Sequence, residues 1–242
     1  MIFQILGNEA LSFQQRLLQL FILPFIILIS LSMHECAHGY VSNILGDPTA
    51  KRAGRLSLDP RKHLDLFGTL LMLFCGFGWA KPVPVDPRYY KNPKKGMAIT
   101  ALAGPLVNLF IGILSLIWFT VLFWLEESGL IYVLPVLKSV PSGVYNFLNY
   151  TFYIVFYYNL LLAIFNLLPI PPLDGSRILL AFLPSKTYFR IMRYERIIMF
   201  VLFLLLWSGA FTGFFEKAID AIIIGVSTPV LKFLEYIHRL IL

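Results

Sequence analysis

The chain has 242 residues, of which 58% are hydrophobic and only 14% charged, with a formal net charge of +7. A soluble domain carries about 45–50% apolar and roughly 25% charged residues. So much apolar surface excludes a fold that hides it from water by itself and makes lipid the expected solvent. Two cysteines, Cys36 and Cys75, exclude a disulfide framework and a cysteine-based zinc knuckle.

A bilayer-spanning helix needs about 20 mostly apolar residues. The first candidate runs from Leu17 to Leu45, and its only formally charged residue is Glu35. Met1–Gln15 carries no Lys or Arg, and no small-residue cleavage pattern follows Leu17–Leu31, so this stretch reads as part of the working protein. Leu66–Ala80 is apolar but short, as a re-entrant or tilted segment would be. Three further spans are expected at Met97–Leu125, Tyr145–Leu168 and Ile197–Phe215. The tail from Glu216 to Leu242 sets Lys232, Glu235, His238 and Arg239 at helical spacing, as an interfacial helix or a last span, broken in two by Pro229. Gly54–Leu58 alternates apolar and polar residues, and Lys81–Val85 is held extended by its prolines. Both suit short strands at the membrane surface, whose free edge would accept an added strand, with solvated loops as the equal alternative.

Lys and Arg accumulate on the cytoplasmic side of spanning helices. Ten lie between Gly46 and Met97 and five between Pro169 and Arg196, which is 15 of the chain's 20. The loop Glu126–Val144 has one, Lys138. Both basic segments are expected to face the cytoplasm, and the basic excess reads as topology and contact with anionic lipid, not as a nucleic-acid site.

Inside the first span, His34-Glu35-Cys36-Ala37-His38 is an H-E-x-x-H run. Residues four apart on a helix are offset by about 40°, so both imidazoles share one face and offer two nitrogen ligands to one zinc. Glu35 is about 100° round from His34, close enough to act on a water molecule there without being a ligand. Cys36 points to the far side and reads as a small buried thiol. Ionisable groups inside a span are costly, about 2.5–3.5 kcal/mol for Asp, Lys or Arg on insertion scales, and usually mark a site.

A hydrolytic zinc site usually has three protein ligands and one open position. His63 and His238 lie outside the apolar cores, whereas Asp174 follows the proline-interrupted break Asn166-Leu167-Leu168-Pro169-Ile170-Pro171-Pro172-Leu173. Topology puts His34, His38 and Asp174 toward the same membrane face. An ordinary turn at Asp174-Gly175 stays open as an alternative.

These residues resemble the site-2 protease family of intramembrane zinc metalloproteases. The motifs that carry the likeness are His34 through Tyr40, Leu45 through Thr49, Gly54-Arg55-Leu56, Gly78 through Val85, Ala103-Gly104-Pro105-Leu106-Val107-Asn108, and Asn166 through Gly175. The chain is similar to compact prokaryotic members without a PDZ domain. The resemblance implies zinc held by His34, His38 and Asp174, Glu35 as general base, and Asn166 near the substrate or oxyanion. Two places depart from the family pattern: Ser176 follows Gly175 where members often have a second glycine, and Asp59-Pro60 stands where they often read Asn-Pro. Gly104-Pro105 is expected to allow close helix packing or a kink, and Asn108 to make a helix–helix hydrogen bond.

The sequence thus predicts an α-helical polytopic membrane protein with about five transmembrane segments (four to six) and short re-entrant or surface strands, as one domain over residues 1–242. The expected activity is zinc-dependent hydrolysis of peptide bonds in or near the spans of single-span membrane proteins, in a prokaryotic cytoplasmic membrane. Its expected partners are the lipid bilayer and those substrates, with no nucleic acid; the oligomeric state is left open. A metal transporter is the rival reading, and it would show several metal sites along a path.

Overall fold

The computed structural model describes residues 13–75, 78–130 and 139–241. Helix α1 is Phe13–Ile44 and α2 is Thr49–Arg52; a 3₁₀ turn at Pro60–Lys62 precedes α3, Leu66–Cys75. A second 3₁₀ turn, Pro87–Tyr89, leads into α4, Pro93–Glu127, followed by α5, Ser142–Leu167. Four helices close the chain: α6 Asp174–Ala181, α7 Ser185–Met192, α8 Glu195–Trp207 and α9 Thr212–Ile241.

Among the described residues, three helices are long and apolar enough to cross a membrane: α1 over Gln19–Ile44, α4 and α5. Helices α8 and α9 make a fourth span only if taken together, so the described residues give three or four spans where about five, in a range of four to six, are expected. Phe21 is 77% exposed, Phe25 62% and Phe110 63% on spanning helices. In water such a surface would be a large loss of hydrophobic stabilisation; in lipid it is the solvated face. The protein is an integral membrane protein.

Three expectations are corrected. The stretch Ile197–Phe215 is not one helix: α8 stops at Trp207, and Gly209 takes φ +75°, the left-handed conformation that closes a helix at little cost for glycine. Pro229 does not break the tail, because α9 runs through it. A proline removes one N–H and bends a helix, but it need not end one whose other bonds persist. Pro24 and Pro105 likewise sit inside α1 and α4. Finally, Gly54–Leu58 and Lys81–Val85 form no strand among the described residues. Pro82 and Pro84 have no N–H to give a ladder. The groups that remain go elsewhere: the Lys81 amide to the His63 carbonyl at 2.8 Å, and the Lys81 carbonyl to Arg55 Nη2 at 2.7 Å. No sheet edge is present there for a substrate strand to join. The short piece Leu66–Ala80 is helical over α3 alone, about 15 Å at 1.5 Å per residue, which is half a hydrocarbon core; residues 76–77 lie outside the described residues, as do 131–138 with Lys138.

The chain divides into two compact units. The first comprises the described residues within Met1–Asn108 and Leu162–Ser208. Its interior is polar as well as apolar. Leu23, Ala50, Val83, Tyr90, Ala101 and Leu173 are buried beside Ser32, Ser42, Asp47 and Thr100. Ser32 returns its hydroxyl to the Leu28 carbonyl at 2.7 Å, which is how an apolar helix accommodates a serine. The second unit comprises Leu109–Leu161 and the described residues of Gly209–Leu242. It packs Leu116, Ile154, Phe156, Leu160, Phe215 and Ile219, and Thr120 Oγ1 meets Ser227 Oγ at 2.9 Å. His238 lies edge-on to Trp124 with ring centroids 5.6 Å apart, far from any role as a ligand.

Asp47 organises the end of α1. Gly46 at φ +107° turns the chain out of the helix, and the Asp47 side chain is fully buried in the turn. Its Oδ2 accepts from Ser42 Oγ and from the Asp86 amide, each at 2.8 Å, and its Oδ1 accepts from the Thr49 amide at 2.9 Å and from the Thr49 hydroxyl. Ser42 has one proton to give, so Tyr90 must donate to Ser42 (2.7 Å) and Thr100 to Tyr90 (3.0 Å). Burial alone would raise this carboxyl; the bonds from Thr49, Asp86 and Ser42 outweigh it and hold the pKa below the usual value. A depressed carboxyl stabilises the fold above the unfolded pKa of about 3.9, and the contribution is lost as pH falls through the lower folded value. Asp47→Ala should leave these donors without their acceptor and cost about 1–3 kcal/mol, read as a lower melting temperature in detergent. The same melting temperature at neutral pH would contradict the assignment.

Candidate metal centre

The H-E-x-x-H run sits well inside α1 and is sorted by the helical period into two faces. His34 and His38 look one way. Glu35 and Gly39, also four apart, look toward the segment Lys81–Val85. A Cβ on Gly39 would lie 2.8 Å from Leu56 Cδ2 and 2.9 Å from Val83 Cγ1, so glycine lets that segment lie directly on the helix. The contact places the Val83 amide 2.8 Å from Glu35 Oε2, to which it donates.

On the other face, three electron-pair donors converge. His34 Nε2 is 3.1 Å and His38 Nε2 3.2 Å from Asp174 Oδ2, and the two nitrogens are 3.0 Å apart. The rings meet at 87° with centroids 4.6 Å apart. Both histidines are buried, and Asp174 nearly so. Asp174 opens α6, where the helix N-terminus favours a negative charge. It reaches the histidines through the break after α5: a Cβ on Gly175 would lie 2.2 Å from the Leu167 carbonyl oxygen, so only glycine lets α6 start against the end of α5. Ser176, the departure from the family pattern, is buried and donates to the Leu173 carbonyl at 2.7 Å, which accommodates it within the turn. Burial alone would raise the Asp174 carboxyl; the hydrogen bonds with His34 and His38 outweigh it and hold the group below the usual carboxylate range.

Two neutral imidazoles and a carboxylate are the donor set of a catalytic zinc site. Ligand atoms about 2.0–2.2 Å from zinc in a tetrahedral arrangement stand roughly 3.3–3.6 Å from one another, a little wider than the triangle of 3.0–3.2 Å found. Gly104 on α4 supplies a second test of fit. A Cβ there would lie 2.5 Å from His38 Nε2 and 2.6 Å from His34 Nε2, so the absence of a side chain keeps clear the space the ligand nitrogens face. The reading of Gly104 as a close-packing residue holds, and the atoms it approaches are the candidate ligands. Gly104→Ala should force an imidazole aside and weaken zinc binding roughly 10–100-fold, the range for disturbing a ligand's supports, measured by competition with a chelator. Undiminished affinity would mean that no ion sits there.

The expected helix–helix hydrogen bond of Asn108 is present and its partner is His34, whereas sequence reasoning missed Thr100. His38 Nδ1 is 2.7 Å from the Thr100 carbonyl, and Asn108 Nδ2 is 3.3 Å from His34 Nδ1. Thr100, Gly104 and Asn108 are each four residues apart on α4, a stripe of small and polar positions on an otherwise apolar helix. That periodicity was the available signal. Asn166 is on the last turn of α5, and its amide donates to the Leu162 carbonyl at 2.9 Å; it makes no described hydrogen bond to the three ligands. His63 is buried and bonds the Ser57 carbonyl through Nε2 at 2.8 Å, a loop contact. Among the described residues, His34, His38 and Asp174 are the one cluster able to hold a metal; a path of several sites, as a transporter would show, is not present among them.

Comparison with known proteins gives concordant findings. The family model of Peptidase family M50 matches residues 21–209. The chain is 44% identical over 161 residues to a Bacillus subtilis (strain 168) protein named "Putative zinc metalloprotease YwhC", covering 65% of this chain and 68% of the relative. It is 29% identical over 194 residues to Rip2 of Mycobacterium tuberculosis (strain H37Rv), covering 78% and 67%. It is 31% identical over 169 residues to "Zinc metalloprotease MJ0392" of Methanocaldococcus jannaschii, covering 69% of this chain and 35% of that one. No solved structure matches significantly.

Proposed function

The chain belongs to peptidase family M50, and on that premise we propose that it cuts peptide bonds within or beside the spans of single-span membrane proteins. Family and relatives make it a zinc-dependent metalloprotease of the membrane. The finer reading rests on one observation: His34 and His38, buried on an apolar spanning helix, converge with Asp174 of α6, and Glu35 is the residue next to His34.

In this reading His34, His38 and Asp174 hold the zinc. When bound, zinc supplies Lewis acidity, polarising a carbonyl oxygen and lowering the pKa of water. Glu35 takes the proton of the attacking water and delivers it to the leaving nitrogen. The Val83 amide restrains one carboxylate oxygen of Glu35 and leaves the other for that transfer. Asn166 binds substrate or the developing oxyanion. A helical substrate must unwind before it is cut, so a helix-weakening residue near the scissile bond is expected. Water reaches the site from the cytoplasmic side. Lys51, Arg52, Arg61, Lys62 and Lys81 are exposed between α1 and α4, where they contact the anionic leaflet of a prokaryotic cytoplasmic membrane.

The test is the purified protein in liposomes with a panel of single-span reporters, cleavage sites mapped by mass spectrometry and zinc measured on the same sample. Cuts inside or next to the span, abolished by chelation and restored by zinc, are expected. Cleavage confined to soluble peptides would overturn the intramembrane reading.

A further inference from the structure

We propose that Asn108 is a positioning residue for His34: its amide oxygen accepts the Nδ1 proton of that imidazole and so presents Nε2 to the metal. The inference rests on the zinc reading of the cluster. A histidine that ligates through Nε2 must lack a proton there, so its neutral ring carries the proton on Nδ1. His38 already meets this requirement, since its Nδ1 faces the Thr100 carbonyl at 2.7 Å, an atom that can only accept. At His34 Nδ1 the partner among the described residues is Asn108, with Nδ2 at 3.3 Å.

Two donors cannot share a proton. The amide oxygen of Asn108, meanwhile, is buried without a hydrogen-bond partner, in a side chain that is fully buried. Oxygen and nitrogen of an amide are nearly identical in shape, and chemistry decides between them. Turning the amide by half a turn sets the oxygen against His34 Nδ1–H and removes the clash of donors. The helix α4 then supports both imidazoles with one stripe: Thr100 orients His38, Asn108 orients His34, and Gly104 between them leaves room for the ion. Outer contacts of this kind fix the tautomer and raise the basicity of the ligating nitrogen.

The experiment compares zinc affinity of the full-length protein in detergent, by chelator competition, with the visible absorption of the cobalt-substituted form. Asn108→Leu keeps the volume and loses the acceptor; it should weaken zinc about 10–100-fold and shift the cobalt bands. Asn108→Asp keeps an acceptor and should restore affinity to within a few-fold of wild type. If leucine is not tolerated by the fold, Asn108→Ala makes the same comparison against Asn108→Asp. Equal affinity of wild type and the acceptor-free variant overturns the proposal, as does an Asn108→Asp protein as weak as Asn108→Leu. A wild-type protein that holds no zinc overturns the metal reading itself, and this inference with it.

Discussion

Glu35→Gln should reduce turnover of a single-span reporter by about 10²–10⁴-fold, the usual share of a general acid–base group, while zinc content stays at the wild-type level. The structure explains why the two readouts separate. Glutamine keeps a side-chain oxygen that can accept the Val83 amide, so the 2.8 Å contact that seats Lys81–Val85 on α1 survives the substitution. Glu35 is not one of the three converging ligands, so the metal site is untouched. Only the ability to take and return a proton is removed. A Glu35→Gln protein that cleaves at the wild-type rate would remove Glu35 from the chemistry, and one that loses its zinc would make Glu35 a ligand or a structural prop.

Asp174→Ala should release the zinc and take activity to background. The carboxylate Oδ2 is within 3.1–3.2 Å of both imidazole nitrogens. Without it two neutral ligands remain, one short of the three that catalytic zinc sites use. Removing the anion also removes the only negative charge in the triad. Metal analysis after dialysis against a weak chelator reads the first effect and the reporter assay the second. Among the described residues no other group of His, Cys, Asp and Glu side chains converges in this way. Full zinc occupancy in Asp174→Ala would show that the third ligand lies elsewhere.

The two outcomes differ in how far they were legible beforehand. His34, Glu35 and His38 could be placed from the helical period alone, because a four-residue spacing sets two side chains on one face in any helix. Asp174 needed one further step, the assignment of both basic loops to one membrane face. Gly54–Leu58 and Lys81–Val85 were misread as strands because alternation reports which faces are apolar and says nothing about where the backbone groups go. Here Pro82 and Pro84 give no N–H, and a glutamate and an arginine side chain take the Val83 amide and the Lys81 carbonyl that a ladder would have used. Pro229 was read as a helix break for a similar reason, since a local rule cannot weigh the bonds that hold the rest of α9.

What the amino-acid order determined by itself was the lipid solvent, three of the spans and the candidate proton-transfer and ligand groups, since hydrophobicity and helical spacing are local properties. What only the tertiary structure decided was the company those groups keep. That Gly104 faces two imidazole nitrogens, that Asn108 meets His34, that Gly175 lets Asp174 arrive, and that Val83 restrains Glu35 are contacts between residues from 48 to 74 positions apart or across the turn after α5. Such contacts follow from how helices pack, which no single segment encodes.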